Sequence, residues 1–161
     1  MYKKPTLNSS INVACTLIPI QNYNLLVPNQ CVAEILIRPE IKCFSSPDTW
    51  HIGEVNWLKE TLPIVLFEKL EVPAKAILSE KNIIVAIQFP LNNTEIIRFG
   101  VLANHTPIVV QVNNQTMDRE INPRKTHNYA LSYVSVNEKS ALIPDLHRIA
   151  TLLQKHPRKT A

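Results

Sequence analysis

The chain has 161 residues, of which 45% are hydrophobic and 19% charged, with a formal net charge of +4. A chain this long and this apolar can bury a core, which excludes wholesale disorder, and its charged fraction falls below the usual quarter. Much of the positive charge lies near the ends, on Lys3, Lys4, Lys155, Arg158 and Lys159, and so reads as solvated termini, not as a nucleic-acid arm.

Residues 1–11 read as a flexible start. Met1-Tyr-Lys-Lys-Pro5 lacks the apolar segment of a signal peptide, and no window reaches the apolar length that spans a bilayer. Short strands are then predicted at 13–20 and 23–27. Between Pro28 and Leu36, the apolar residues Val32, Ile35 and Leu36 have helical spacing behind a plausible Asn29 cap, which predicts a short helix or turn before a strand at 36–38. Strands are predicted at 53–58 and 62–68, whose apolar runs 55–58 and 62–67 flank a polar Lys59-Glu60-Thr61 turn, and Pro63 sits near the start of the second, where a strand tolerates the missing donor. A helical or loop link is expected at about 73–78, followed by strands at 83–89, 94–102, 107–112 and 128–136.

Only two glycines serve this β-rich pattern. Asparagine stands in at the turns instead, at Asn22, Asn24, Asn29, Asn92, Asn93, Asn113, Asn114 and Asn128, since it tolerates left-handed backbone better than most residues. Many short strands at regular spacing point to barrels or sandwiches, not to βαβ units. The clearest helix is C-terminal, at about 144–155. Pro144 suits its first turn, Asp145 complements its positive end, and Leu146, Ile149, Ala150 and Leu153 line one face. It reads as an amphipathic lid on the core, stopped by Pro157, with 157–161 as a flexible tail.

Residues that carry chemistry are scattered. Cys15, Cys31 and Cys43 cannot all pair, show no Cys-x-x-Cys spacing and fit a reducing, cytoplasmic compartment. No two of His51, His105, His127, His147 and His156 stand at i, i+3 or i, i+4, so no metal site is predicted. Gly53 and Gly100 stand alone, which rules out a phosphate-cradling glycine loop and a nucleophile elbow, and no cofactor is implied. Glu34, Glu54, Glu60 and Glu68 fall in one candidate barrel, with Glu68 read as a solubilising charge at a strand edge. Two alternatives stay open: a small barrel that binds nucleic acid, despite only 6% aromatic residues, and an enzyme built on a cysteine and histidine that meet in space.

The order Tyr23-Asn-Leu-Leu-Val-Pro28, Val32-Ala-Glu-Ile35 and Gly53-x-x-Asn56-Trp57-Leu58-Lys59-x-x-x-Pro63 resembles the CheW-like adaptor domain of chemotaxis coupling proteins. Gly53, Asn56 and Pro63 keep that family's spacing, while its usual Leu-Arg-Gly reads Trp57-Leu58-Lys59. Phe99-Gly-Val-Leu-Ala-Asn104 and Ala141-Leu-Ile-Pro-Asp-Leu146 resemble strands of the family's second subdomain and its closing helix.

The resemblance implies an all-β CheW-like fold over residues 12–156. Two five-stranded SH3-like barrel subdomains would cover about 12–80 and 81–140, followed by the short C-terminal helix. It further implies a non-catalytic cytoplasmic adaptor between a methyl-accepting chemoreceptor tip and the regulatory domain of a CheA-type histidine kinase. Such a protein would bind no nucleic acid and would reach the membrane only through its receptor. The implied partner-binding residues are Val32, Glu34, Asn56, Trp57 and Leu58 in the first barrel, with Leu102 and Asn104 in the second. Leu58 stands where the family usually has arginine, which replaces a charge-assisted contact by an apolar one. That change makes the chain resemble the ChpC-like branch, which serves type IV pili and twitching motility.

Overall fold

Alternation along the central strands decides the architecture, because several of them are apolar on both faces. The computed structural model describes residues 11–44, 50–70, 81–120 and 127–156. In chain order the elements are β1 (Val13–Pro19), β2 (Asn24–Pro28), β3 (Val32–Ile37), β4 (Ile41–Cys43), β5 (His51–Trp57) and β6 (Glu60–Val65). They continue with β7 (Ile83–Pro90), β8 (Ile96–Ala103), β9 (Ile108–Val112), β10 (Met117–Arg119), β11 (Ala130–Val136), β12 (Lys139–Pro144) and α1 (Leu146–Lys155). Short 3-10 turns occupy Asn29–Cys31 and Phe67–Leu70.

Two six-stranded sheets form, in the orders β10-β11-β12-β2-β1-β9 and β3-β7-β8-β6-β5-β4. Each curls into a half-barrel and carries one three-residue strand, β10 or β4, at an edge beside five longer strands. Pairing is antiparallel except where β12 meets β2 and β6 meets β8. The sheets do not divide the chain near residue 80. β1 and β2 join β9 to β12, while β3 to β6 take β7 and β8 as their partners. The parallel contacts that complete each sheet join segments far apart in sequence, and such pairing leaves no local signature.

Side chains on alternate positions enter different cores. On β7, Val85 and Ile87 face a core shared between the sheets, whereas Ile84 and Ala86 face the interior of the second half-barrel. On β2, Leu25 and Val27 join the shared core and Leu26 enters the first half-barrel beside Cys15, Leu17 and Val136. A strand buried on both faces reads as a continuous apolar run, which is how these segments look in the sequence. Burial of that surface, at about 25 cal/mol per Å2 of apolar area, is the dominant favourable contribution to folding.

Gly100 shows how tight the second interior is. A Cβ there would lie 2.5 Å from Ile84 Cγ2 and 2.7 Å from Ile64 Cδ1. Gly53 has a backbone reason instead, since its Cβ would stand 2.3 Å from the carbonyl oxygen of Lys42 on the neighbouring β4. Helix α1 caps the shared core with Leu146 and Ile149. Its N-terminus is held by Asp145, whose Oδ1 accepts from the Arg148 amide at 3.0 Å. Pro144 ends β12 and does not enter the helix.

Other expectations change in detail. The helix or turn expected between Pro28 and Leu36 shrinks to Asn29–Cys31, and Val32–Ile37 is a strand, because its apolar residues can face two sides of a sheet. Asn92 and Asn113 make turns through their side chains and not through left-handed backbone. Asn92 Oδ1 accepts from the Thr94 amide, and Asn113 Oδ1 accepts from the Gln115 amide. Glu68 is not an edge charge. It is 8% exposed, and its Oε1 accepts from the Gln21 amide at 2.8 Å. The link expected at 73–78 lies outside the described residues.

His127 stacks on Phe67 at 4.7 Å between ring centroids, and its Nδ1 accepts from the Tyr129 amide. Burial pushes the imidazole pKa below its ordinary value. The unfolded chain therefore binds this proton more readily than the folded one, and acid favours unfolding. The contribution of His127 to stability is whole above about pH 6.5 and is lost as pH falls from there through the folded value. Urea melts between pH 7.5 and 5 test this: His127→Asn keeps an acceptor for Tyr129 and is expected to flatten the pH dependence. An unchanged slope would show that His127 ionises alike in both states.

Candidate functional site

The expected partner-binding residues separate into one cluster and three outliers. Glu34 is exposed on β3, and Trp57 ends β5. β3 forms one edge of its sheet and β5 lies next to the other, so contact between them requires the sheet to curl round. The contact is a hydrogen bond from Trp57 Nε1 to Glu34 Oε2 at 2.6 Å. Trp57 is 9% exposed and packs with Leu62, Ile64 and Leu102 inside the half-barrel. Its ring is therefore core, and its N–H is a polar end that reaches the surface carboxylate. A buried ring cannot serve as a stacking platform for nucleobases.

Asn56 and Leu58 flank Trp57 and are exposed. Leu58 and Lys59 form a two-residue hairpin turn with φ of 47° and 63°. Both values lie in the left-handed region, the geometry of the type I′ turn that normally takes Asn-Gly. β5 thus ends one residue earlier than the Lys59-Glu60-Thr61 turn implied, β6 begins two residues earlier, and Trp57 pairs directly with Glu60. Left-handed backbone costs a non-glycine residue about 1–2 kcal/mol. The strain presents Leu58 at 70% exposure beside the Glu34–Trp57 pair, and strained, exposed positions concentrate at sites of function. The double change Leu58→Asn with Lys59→Gly is expected to raise the unfolding free energy by about 1–2 kcal/mol in urea titrations. No gain would mean that the turn is not strained.

The three outliers lie apart from this cluster. Val32 starts β3 half-buried and packs against the shared core. Leu102, expected as a surface anchor, is 4% exposed and belongs to the same interior as Trp57, so it packs and makes no outside contact. Asn104 is exposed at the far end of β8, where its amide donates to the Pro19 carbonyl at 2.8 Å.

A cleft of about 600 Å3 opens between β3 and β4–β5. Besides Glu34 and Asn56 it is lined by Ile35, Leu36, Ile37, Pro39, Glu40, Lys42 and Val55. Ile35 was given helical spacing with Val32 and Leu36, and Ile37, inside the strand expected at 36–38, was not singled out as a surface residue. The unbroken run Ile35-Leu-Ile37 was the signal for a strand.

Two of the three cysteines, Cys15 and Cys31, are buried and poorly suited to nucleophilic chemistry. Burial raises the pKa of the Cys15 thiol, with a smaller contribution from nearby Cys31, and burial raises that of Cys31. A raised pKa keeps the thiol protonated and weakly nucleophilic. Among the described residues, no group of three or more His, Cys, Asp or Glu could hold a metal ion, and no helix is long and apolar enough to cross a membrane.

Two half-barrels packed together, capped by a terminal helix and open along one sheet edge, define a distinct class of β-protein. This is the CheW-like fold: the chain superposes on the scaffolding protein TtCheW from Thermoanaerobacter tengcongensis with a TM-score of 0.66 and 12% sequence identity, covering 85% of this chain and 91% of that one. No protein-family model matches the sequence, and neither does any curated protein.

Proposed function

We propose that the chain is a non-catalytic adaptor that couples a chemoreceptor to a CheA-type histidine kinase in the cytoplasm, within a chemosensory system that controls type IV pili and twitching motility. The likeness in fold to a scaffolding protein over 85% of the chain carries this reading. The gathering of Glu34, Asn56, Trp57 and Leu58 at one edge supports it, since these positions match the family's contact region in the sequence. The pilus branch rests on Leu58, an exposed apolar residue where the flagellar adaptors usually carry arginine.

The mechanism is conformational. An adaptor changes kinase output only through different affinities for the active and inactive arrangements of its partners. Titration calorimetry of the full chain against the kinase regulatory domain and a receptor-tip fragment tests the reading. Binding in the range of tens of micromolar or tighter is expected for at least one of them. Silence from both would refute the adaptor role.

A further inference from the structure

We infer that the cleft between β3 and β4–β5 takes an extended, basic and apolar segment of the kinase regulatory domain, which inserts as an added strand along the free edge of β3. The inference rests on the adaptor reading and specifies how one of its two partners docks. Its first support is a backbone edge that no strand among the described residues fills. β3 and β4 end the second sheet on opposite sides, each paired on one side only. Pro39, in the short connection between them, lines the cleft.

The direction of the free donors follows from the ladder. The Arg38 amide donates to the Asn82 carbonyl on the β7 side. Alternation along β3 then turns the Leu36 amide towards β7 and the amides of Ile35 and Ile37 towards the cleft. Unpaired edges of this kind are templates for another strand. β3 spans Val32–Ile37, a length of roughly 20 Å, enough to pair with five or six residues. A helix has already used its backbone donors and acceptors, so a helical receptor tip cannot satisfy this edge.

The second support is charge. Glu34 and Glu40 line the cleft against one ammonium, Lys42, and none of the three forms an ion pair among the described residues. Trp57 fixes Glu34 through Oε2, so Trp57 acts as a positioning residue for a carboxylate that has no ion-pair partner among the described residues. Ile35 at 37% exposure and Ile37 at 61% add apolar surface to the same edge. An inserted strand with alternating apolar and basic side chains matches both features.

The experiment uses the full chain and the kinase regulatory domain. Binding is expected to protect the amides of Ile35 and Ile37 from hydrogen exchange at least tenfold, while Leu36, already facing β7, changes less. Ile35→Pro removes an outward donor that no described ladder bond uses, at an edge where proline is tolerated. It is expected to weaken binding tenfold or more with its melting temperature close to that of the parent chain. Glu34→Gln with Glu40→Gln is expected to weaken binding and flatten its dependence on salt.

If the domain binds and the exchange of 35 and 37 is unchanged, strand insertion is overturned and the adaptor reading stands. Should Ile35→Pro fail to fold, exchange in the unmodified complex still decides the matter. If the kinase domain fails to bind, the inference falls, and a bound receptor fragment would leave the wider adaptor role intact.

Discussion

Trp57→Ala is expected to lower the unfolding free energy by about 3–5 kcal/mol, the range for deleting a large buried aromatic ring. The ring fills the interior of the second half-barrel with Leu62, Ile64 and Leu102, and its removal leaves a cavity among them. Trp57→Phe separates the ring from its N–H. It keeps most of the apolar contact and loses the bond to Glu34, at a cost of about 1 kcal/mol because the exposed carboxylate can turn to water. Chemical denaturation of both variants checks the pair of values. An alanine variant as stable as its parent would place Trp57 on the surface, as a contact and not as core.

Gly53→Ala has the second largest expected effect, a loss of about 3 kcal/mol at the upper end of overpacking. The new methyl would meet the Lys42 carbonyl at 2.3 Å, and backbone on a paired strand cannot rotate aside as a side chain can. Relief requires β4 to separate from β5, which opens the register of Cys43 with Gly53 and of Lys42 with Glu54. Faster hydrogen exchange at residues 41–43 should therefore accompany the drop in stability. A normal melt with unchanged exchange would show that the strands approach less closely.

Much of the fold was readable one segment at a time. The runs around Leu25–Val27, Ile83–Ile87 and Phe99–Ala103 are apolar at successive positions, and strands buried on both faces must look that way. The terminal helix was legible from the spacing of Leu146, Ile149 and Ala150 and from Asp145 as its cap. Strand β3 was misread because Val32, Ile35 and Leu36 satisfy a helical period as well as a sheet with two packed sides. The hairpin tip was misplaced because Leu58 and Lys59 are poor residues for a left-handed turn, and local preference gave no sign of it.

The candidate site was legible in part. Glu34 and Trp57 could be singled out by resemblance, but their hydrogen bond spans 23 residues and exists only because the sheet curls. Leu102 and Leu58 were both implied as contacts by the resemblance alone. Burial separates them, with 4% exposure for the first and 70% for the second.

Local chemistry in the chain was enough for β-strands in number, one capped terminal helix and an apolar content that demands a core, since periodicity and capping act over a few residues. The interleaving of the two sheets, the close approach behind Gly53 and the open edge beside Glu34 came from elsewhere. The approach behind Gly53 depends on β4 pairing with β5, and the interleaving of the sheets depends on segments that meet only when β12 pairs with β2 and β6 with β8, so the free energy of those meetings belongs to the assembled molecule.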